Sequence, residues 1–251
     1  MTAYERINPY PKPPIEEALL QFVLHEPAPW NITTPGLIYD AIKADYPAEP
    51  VSQEALSATF QTDESTGLGA NFALNRGDMR VIYRSTDATK LAIAHPQHFT
   101  IGSNRPYDGW PSLRARMLDA WGKLGDVLRH PIIESVSLRY INRITVPNLH
   151  LNTDDYFTIP VRTVDEGSWS YGSFVYRVES ARDHVTRART TFATIDSPSP
   201  DENHFLLDLE FLHLQPTADV NEALLAADEL KNLENAEFEL SITDTTRELF
   251  K

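Results

Sequence analysis

The chain has 251 residues, 41% hydrophobic and 10% aromatic. That is enough apolar material for one large core or two smaller ones, and too much for a disordered chain. No stretch approaches the roughly 20 apolar residues that span a bilayer, and Met1-Thr2-Ala3-Tyr4-Glu5-Arg6 lacks the basic-then-apolar pattern of a secretory leader. Cysteine is absent, which excludes disulfides, thiolate metal sites and a cysteine nucleophile, so a cytoplasmic protein is expected.

The formal net charge of −14 is concentrated at one end: residues 196–251 carry 3 basic and 14 acidic side chains, whereas 131–195 carry 7 of each. Such a segment repels nucleic acid and anionic membrane and steers a basic partner inward. Another protein is the expected partner, neither nucleic acid nor membrane is, and a homodimer is left open.

In chain order, the prolines of Asn8-Pro9-Tyr10-Pro11-Lys12-Pro13-Pro14 predict an extended arm. From Ala18 to Leu24 the pattern is a strand with both faces at least partly covered, because Leu19 and Val23 occupy the second face. Thr33 or Thr34 caps a short helix with Leu37, Ile38, Ala41 and Ile42 inward. Strands follow around Leu56–Phe60, Asn71–Leu74 and Met79–Tyr83, the last two separated by a turn at Asn75-Arg76-Gly77-Asp78, and then around Leu91–Ala94 and Phe99–Ile101. Leu113, Met117, Ala120, Trp121, Leu124, Val127 and Leu128 are spaced as one face of a helix over Ser112–Leu128.

A long strand, Ile132 to Ile144, opens the second half, followed by a short helix at Asp154–Phe157 under an Asn152 or Thr153 cap. Strands at Phe174–Glu179, Val185–Ile195 and Phe205–Leu214 come next. A final helix starts near Asp219 with Val220, Leu224, Ala227, Leu230 and Leu233 inward, and runs toward Ile242 and Phe250.

One phrase occurs twice: Pro13-Pro14-Ile15-Glu16-Glu17-Ala18-Leu19-Leu20-Gln21-Phe22 returns 118 residues on as Pro131-Ile132-Ile133-Glu134-Ser135-Val136-Ser137-Leu138-Arg139-Tyr140. Pro, Ile, Glu and Leu match in place, and an aromatic closes both. With the element order this predicts an α+β protein of two tandem β-α-β-β-β-α repeats, 1–130 and 131–251, with antiparallel sheets, pseudo-two-fold symmetry and an acidic terminal helix. The topology resembles saddle-like duplicated folds such as that of the TATA-box-binding protein.

The sequence offers no phosphate loop and no Gly-x-Ser-x-Gly elbow. His95-Pro96-Gln97-His98 lacks regular spacing and a third ligand, and reads as loop histidines; Asp154-Asp155 reads as a cap rather than a catalytic pair. No catalytic residue, metal or cofactor is assigned. Arg139 and Arg143 share one face of the second-half strand with Ile141, and Leu138, Tyr140, Asn142 and Ile144 share the other. Such arginines must pair, with Glu16, Glu134 or carboxylates of the last helix as candidates, or else line an anion pocket together with Arg80 and Arg84. Trp169 and Tyr171 in the Gly-rich loop, and Glu229 and Glu237 on the acidic helix, are candidate partner contacts.

Tyr10-Pro11-Lys12-Pro13-Pro14-Ile15-Glu16-Glu17-Ala18 and Leu138-Arg139-Tyr140-Ile141-Asn142-Arg143-Ile144, with Leu233, Phe238 and Ile242-Thr243, resemble a sporadically distributed, functionally uncharacterised prokaryotic family of about this length. The resemblance covers nearly the whole chain. It implies a single-family protein, carries over no catalytic residue, and through its patchy distribution implies mobile-element or defence-associated genes. The leading expectation is a non-enzymatic protein-binding or regulatory module, antitoxin-like or accessory to a phage-defence system. The alternative is a small anionic-ligand binder or hydrolase with an arginine-lined cleft between the halves.

Overall fold

The computed structural model describes residues 10–62, 70–147, 152–161 and 173–251, apart from the side chains of 54–62 and 70–78. Its strands are β1 (Ile15–Leu24), β2 (Val51–Thr62), β3 (Ala70–Arg84), β4 (Lys90–His95), β5 (His98–Asn104), β6 (Ile133–Pro147), β7 (Val175–Ala181), β8 (Thr186–Ile195) and β9 (Glu202–His213). Its helices are α1 (Thr34–Ile42), α2 (Trp110–Leu128), α3 (Val220–Ser241) and α4 (Asp244–Glu248), with one 3-10 turn at Thr153–Asp155. The strands make one antiparallel sheet in the order β2-β3-β4-β5-β1-β6-β9-β8-β7, continuous across residue 130. The architecture is therefore mixed α/β with a large antiparallel sheet and few helices. No helix among the described residues is long and apolar enough to cross a membrane.

β1 and β6 lie side by side at the centre. Their register sets Leu20 opposite Leu138, Ala18 opposite Tyr140 and Phe22 opposite Val136, and all six side chains are at most 1% exposed. β5 flanks β1 and β9 flanks β6, so Phe99, Ile101, Leu207, Leu209 and Phe211 extend the same apolar face. Each such side chain contributes roughly 1.5–3 kcal/mol by leaving water. α2 packs on β1 and β5, α3 on β6 and β9, and α1 on α2; among the described residues these helices lie on one face of the sheet, over the buried side chains of β1 and β6.

Polar contacts lock the helices. Asp228 of α3 accepts from Trp110 Nε1 at 2.9 Å and from Arg114 Nε at 3.0 Å, both on α2. Lys231 lies 3.9 Å over the Tyr140 ring and pairs with buried Glu234, while the Tyr140 hydroxyl meets that of Tyr107 at 2.6 Å. Asp219 caps α3 by accepting from Asn221 N at 2.8 Å. α3 then ends where Ile242 bridges Phe157, and Thr243 starts α4.

Several expectations are corrected. Residues 75–78 form no turn: β3 runs unbroken through them against β2, with one register shift between Glu54 and Leu56. In β1 the even-numbered residues are buried under the helices, and Leu19 and Val23 are half-buried on the other side, so both faces are at least partly covered as expected. Leu37 is 55% exposed because α1 buries Thr34, Ile38 and Ile42, the i, i+4 row on its other side. The short helix at Asp154–Phe157 is a single 3-10 turn capped by Asn152, whose side chain accepts from Asp154 N at 3.3 Å.

Leu20→Ala, at the centre of the β1–β6 contact, is expected to cost about 2–5 kcal/mol. The measurement is urea unfolding, with the midpoint falling and the slope unchanged.

Candidate functional site

The odd-numbered residues of β1 and β6 and their register partners line the face that no helix covers. One cross-strand row runs through eight strands from β3 to β7: Arg84, Leu91, Gly102, Leu19, Arg139, Glu210, Arg189 and Glu179. Gly102 lets two leucines close over it there: a Cβ would stand 2.8 Å from both Leu19 Cδ2 and Leu91 Cδ1, and those side chains would have to shift.

Toward β7 the row is an ion-pair lattice. Arg139 holds Asp208 through two bonds, Nε at 2.8 Å and a second nitrogen at 2.7 Å, the bidentate geometry that suits guanidinium to carboxylate. Glu210 accepts from Ser137 Oγ at 3.0 Å and from Arg189, and Arg189 Nε also reaches Glu179 at 3.0 Å. Arg143 Nε meets His204 Nδ1 at 3.0 Å. Among the described residues, neither Arg143 nor Arg84 has a carboxylate partner.

The other half of the face is more sparing. Arg80 donates to Gln53 Oε1 at 2.9 Å, and His95 and His98, at the two ends of the β4–β5 hairpin, stack with ring centres 4.4 Å apart. They are strand-end rather than loop residues. His98 is held down at about 4, first by burial and then by His95 and Arg80. Glu17, facing Asn104 and Ile141, has its carboxyl raised above the ordinary 4.5. Burial is the main cause; Arg139 and Arg80 oppose it without cancelling it, and Asp208 adds to it. Arg80 thus acts on both His98 and Glu17, which places the charges of β3 and β6 in one electrostatic neighbourhood.

The four arginines named from sequence, Arg80, Arg84, Arg139 and Arg143, all fall on this face. Their partners are not those anticipated: Glu16 pairs with Arg105 at 2.9 Å and Glu134 with His25, because both lie at the strand ends. Asp208 and His204 of β9 take that role from diagonal positions, two residues along the ladder from the places opposite Arg139 and Arg143, while Glu210 stands directly across from Arg139. Glu229 is exposed on α3, and half-buried Glu237 has its carboxyl raised by burial; both belong to the helical layer and do not join the arginines. Trp169 and Tyr171 lie outside the described residues.

Sequence reasoning missed Glu17, His98, Asp208, Glu210 and Arg189. The available signal was the even spacing of His204, Asp208 and Glu210 and of Arg187 and Arg189, which sets each on the face opposite the phenylalanines of its own strand. Two hollows, about 410 Å³ beside His25 and His130 and about 270 Å³ beside Tyr46 and Arg116, include none of the four arginines. Among the described residues no group of three His, Asp or Glu side chains is placed to hold a metal. Comparison with protein-family models and with curated proteins returned no match.

A carboxyl raised in the fold favours the protonated form, so Glu17 costs stability above its folded value and ceases to do so below 4.5. Glu17→Gln is expected to raise Tm at pH 7, with the gain vanishing as the pH falls below 4.5. His98 has the opposite sense. Between 6.5 and about 4 the unfolded chain binds a proton that the native state refuses, so stability falls with acidification. His98→Gln is expected to flatten that part of the stability profile in thermal scans.

Proposed function

We propose that the protein is a non-enzymatic binding module that engages an acidic segment of another protein on the uncovered face of its sheet. The observation that carries this reading is the opposition of the two faces. In a chain of net charge −14, α3 and α4 carry most of the acidic side chains of residues 196–251, while Asp208 and Glu210 of β9 lie on the other face paired with arginines. The other face presents Arg80, Arg84, Arg139 and Arg143, two of them without a carboxylate partner among the described residues. Guanidinium groups held by neighbouring side chains bind carboxylates at a reduced entropic cost. An antitoxin-like or defence-accessory role, implied by the family resemblance, is the more specific form of this reading.

A duplicated origin belongs to the same proposal. What supports it is the register. The two copies of the repeated phrase are β1 and β6, and the equivalent residues Leu20 and Leu138 face each other across a local two-fold. About that axis the pair Ala18–Tyr140 is repeated as Val136–Phe22. Each copy is flanked by the last strand of its own half, and each half ends in a long helix. The halves differ where a helix, α1, follows the first copy and only a 3-10 turn follows the second.

A second reading, a small-anion binder, is favoured by the convergence of Arg139 and Arg80 on Glu17. Calorimetric titration with an oligo-glutamate peptide as probe tests both. The first reading expects binding by the wild type, about tenfold weaker binding by Arg84→Ala/Arg143→Ala, and none of an oligo-lysine control. Saturation by citrate or phosphate alone, lost in Arg139→Ala, selects the second. Absence of binding by every anionic probe overturns both.

A further inference from the structure

β7 is the last strand of the sheet, and all seven of its residues are exposed. Its inner edge pairs with β8 from Val175↔Ala193 to Ala181↔Arg187. Two bonds bracket that ladder in the same register: Thr194 N to Phe174 O and Arg182 N to Thr186 O, both 3.1 Å. Bonded pairs of an antiparallel ladder recur at every second residue, so the even-numbered residues of β7 turn their N–H and C=O toward β8. Val175, Arg177, Glu179 and Ala181 turn theirs outward.

Among the described residues this edge contains no proline, its register with β8 shows no bulge and no helix packs on it. Its two charges, Arg177 and Glu179, are of opposite sign and pair with each other at 3.0 Å. Val175 is 75% exposed, and Tyr176 and Val178, on the helical side, are 38% and 39% exposed. The edge is also self-complementary. Antiparallel pairing about a two-fold axis at Val178 sets Arg177 opposite the partner's Glu179 and Glu179 opposite the partner's Arg177. All four outward-turned residues then pair with outward-turned residues. Centring the axis on Arg177 or Glu179 instead sets like charges against each other, which is unfavourable. Centring it between two residues opposes outward-turned groups to inward-turned ones and forms no ladder.

We propose that β7 pairs with β7 of a second copy of this chain, antiparallel and centred on Val178, so that the sheet continues across the subunit boundary. The axis is perpendicular to the sheet, so the uncovered face of one copy runs into that of the other. Tyr176 and Val178 of both copies meet on the helical side, where the single chain leaves them in water. The acidic helix α3 sits over β6 and β9. The nearer of these is two strands from the seam, about 10 Å, close to one screening length at physiological salt.

The chain has no cysteine, so a single introduced one reports the register. In a non-bonded antiparallel pair opposite Cβ atoms lie about 4.5–5.5 Å apart, near disulfide reach. Val178→Cys is expected to form a disulfide-linked dimer under mild oxidation, and Tyr176→Cys, whose opposite residue is Ser180, is not. By light scattering the wild type is expected at twice the 28.4 kDa chain mass. Arg177→Glu and Glu179→Arg are each expected at one chain, and their equimolar mixture at two. Circular dichroism confirms that each variant is folded. A wild type of single-chain mass at every concentration overturns the proposal, as does equal crosslinking of the two cysteine variants or a dimer indifferent to both charge reversals.

Discussion

The antiparallel contact between β1 and β6 is the constraint from which the rest follows. Six side chains, Ala18, Leu20, Phe22, Val136, Leu138 and Tyr140, meet there without measurable exposure beyond 1%. The contact joins five strands on one side to four on the other. Without it each half would be a small sheet with a naked central edge, the condition that native sheets avoid. It also decides where the helices go, since α2 and α3 can bury their apolar stripes only against the face that these six residues open. Tyr140 links both layers, packing as a core residue while its hydroxyl meets Tyr107 and its ring lies under Lys231.

Because strand side chains alternate, the same contact aims Leu19, Glu17, Arg139 and Arg143 the other way. The sheet thereby separates the charges of the molecule. Asp208, Glu210 and Glu179 are paired with arginines on the uncovered face, and those pairs hold guanidinium groups in set positions. Glu17 is the member least well compensated, with burial outweighing two nearby arginines. A half-buried carboxylate among the paired charges of Arg139 and Asp208 is where binding of an outside group would alter the local field.

Much of the fold was legible residue by residue. The 3.6-residue stripe of α2 and the alternation of β1, β6, β8 and β9 follow from local spacing alone, and Pro111, Pro131 and Asp219 mark real boundaries. The division of Arg139 and Arg143 from Leu138, Tyr140 and Asn142 was likewise visible, because a period of two needs no tertiary information. The unbroken β3 was not visible. The turn residues Asn75-Arg76-Gly77-Asp78 carry a strong local signal, and main-chain pairing to β2 on both sides of them reduces it to the register shift at Gly77 and Asp78.

The amino-acid sequence alone determined a strand-rich α+β chain without cysteine, charged unevenly, with a phrase used twice and two arginines on one side of a strand. Tertiary structure decided that the two phrases pair with each other, that the described strands form one sheet, and that among the described residues one of its faces carries no helix. It also chose Asp208 and His204, rather than Glu16 and Glu134, as the neighbours of those arginines. The reason is one of range: side-chain periodicity is set by neighbouring bonds, whereas strand order and register join residues 55 (Pro147 and Glu202) to 127 (Ile15 and Asn142) positions apart and answer only to which apolar face can be buried against which.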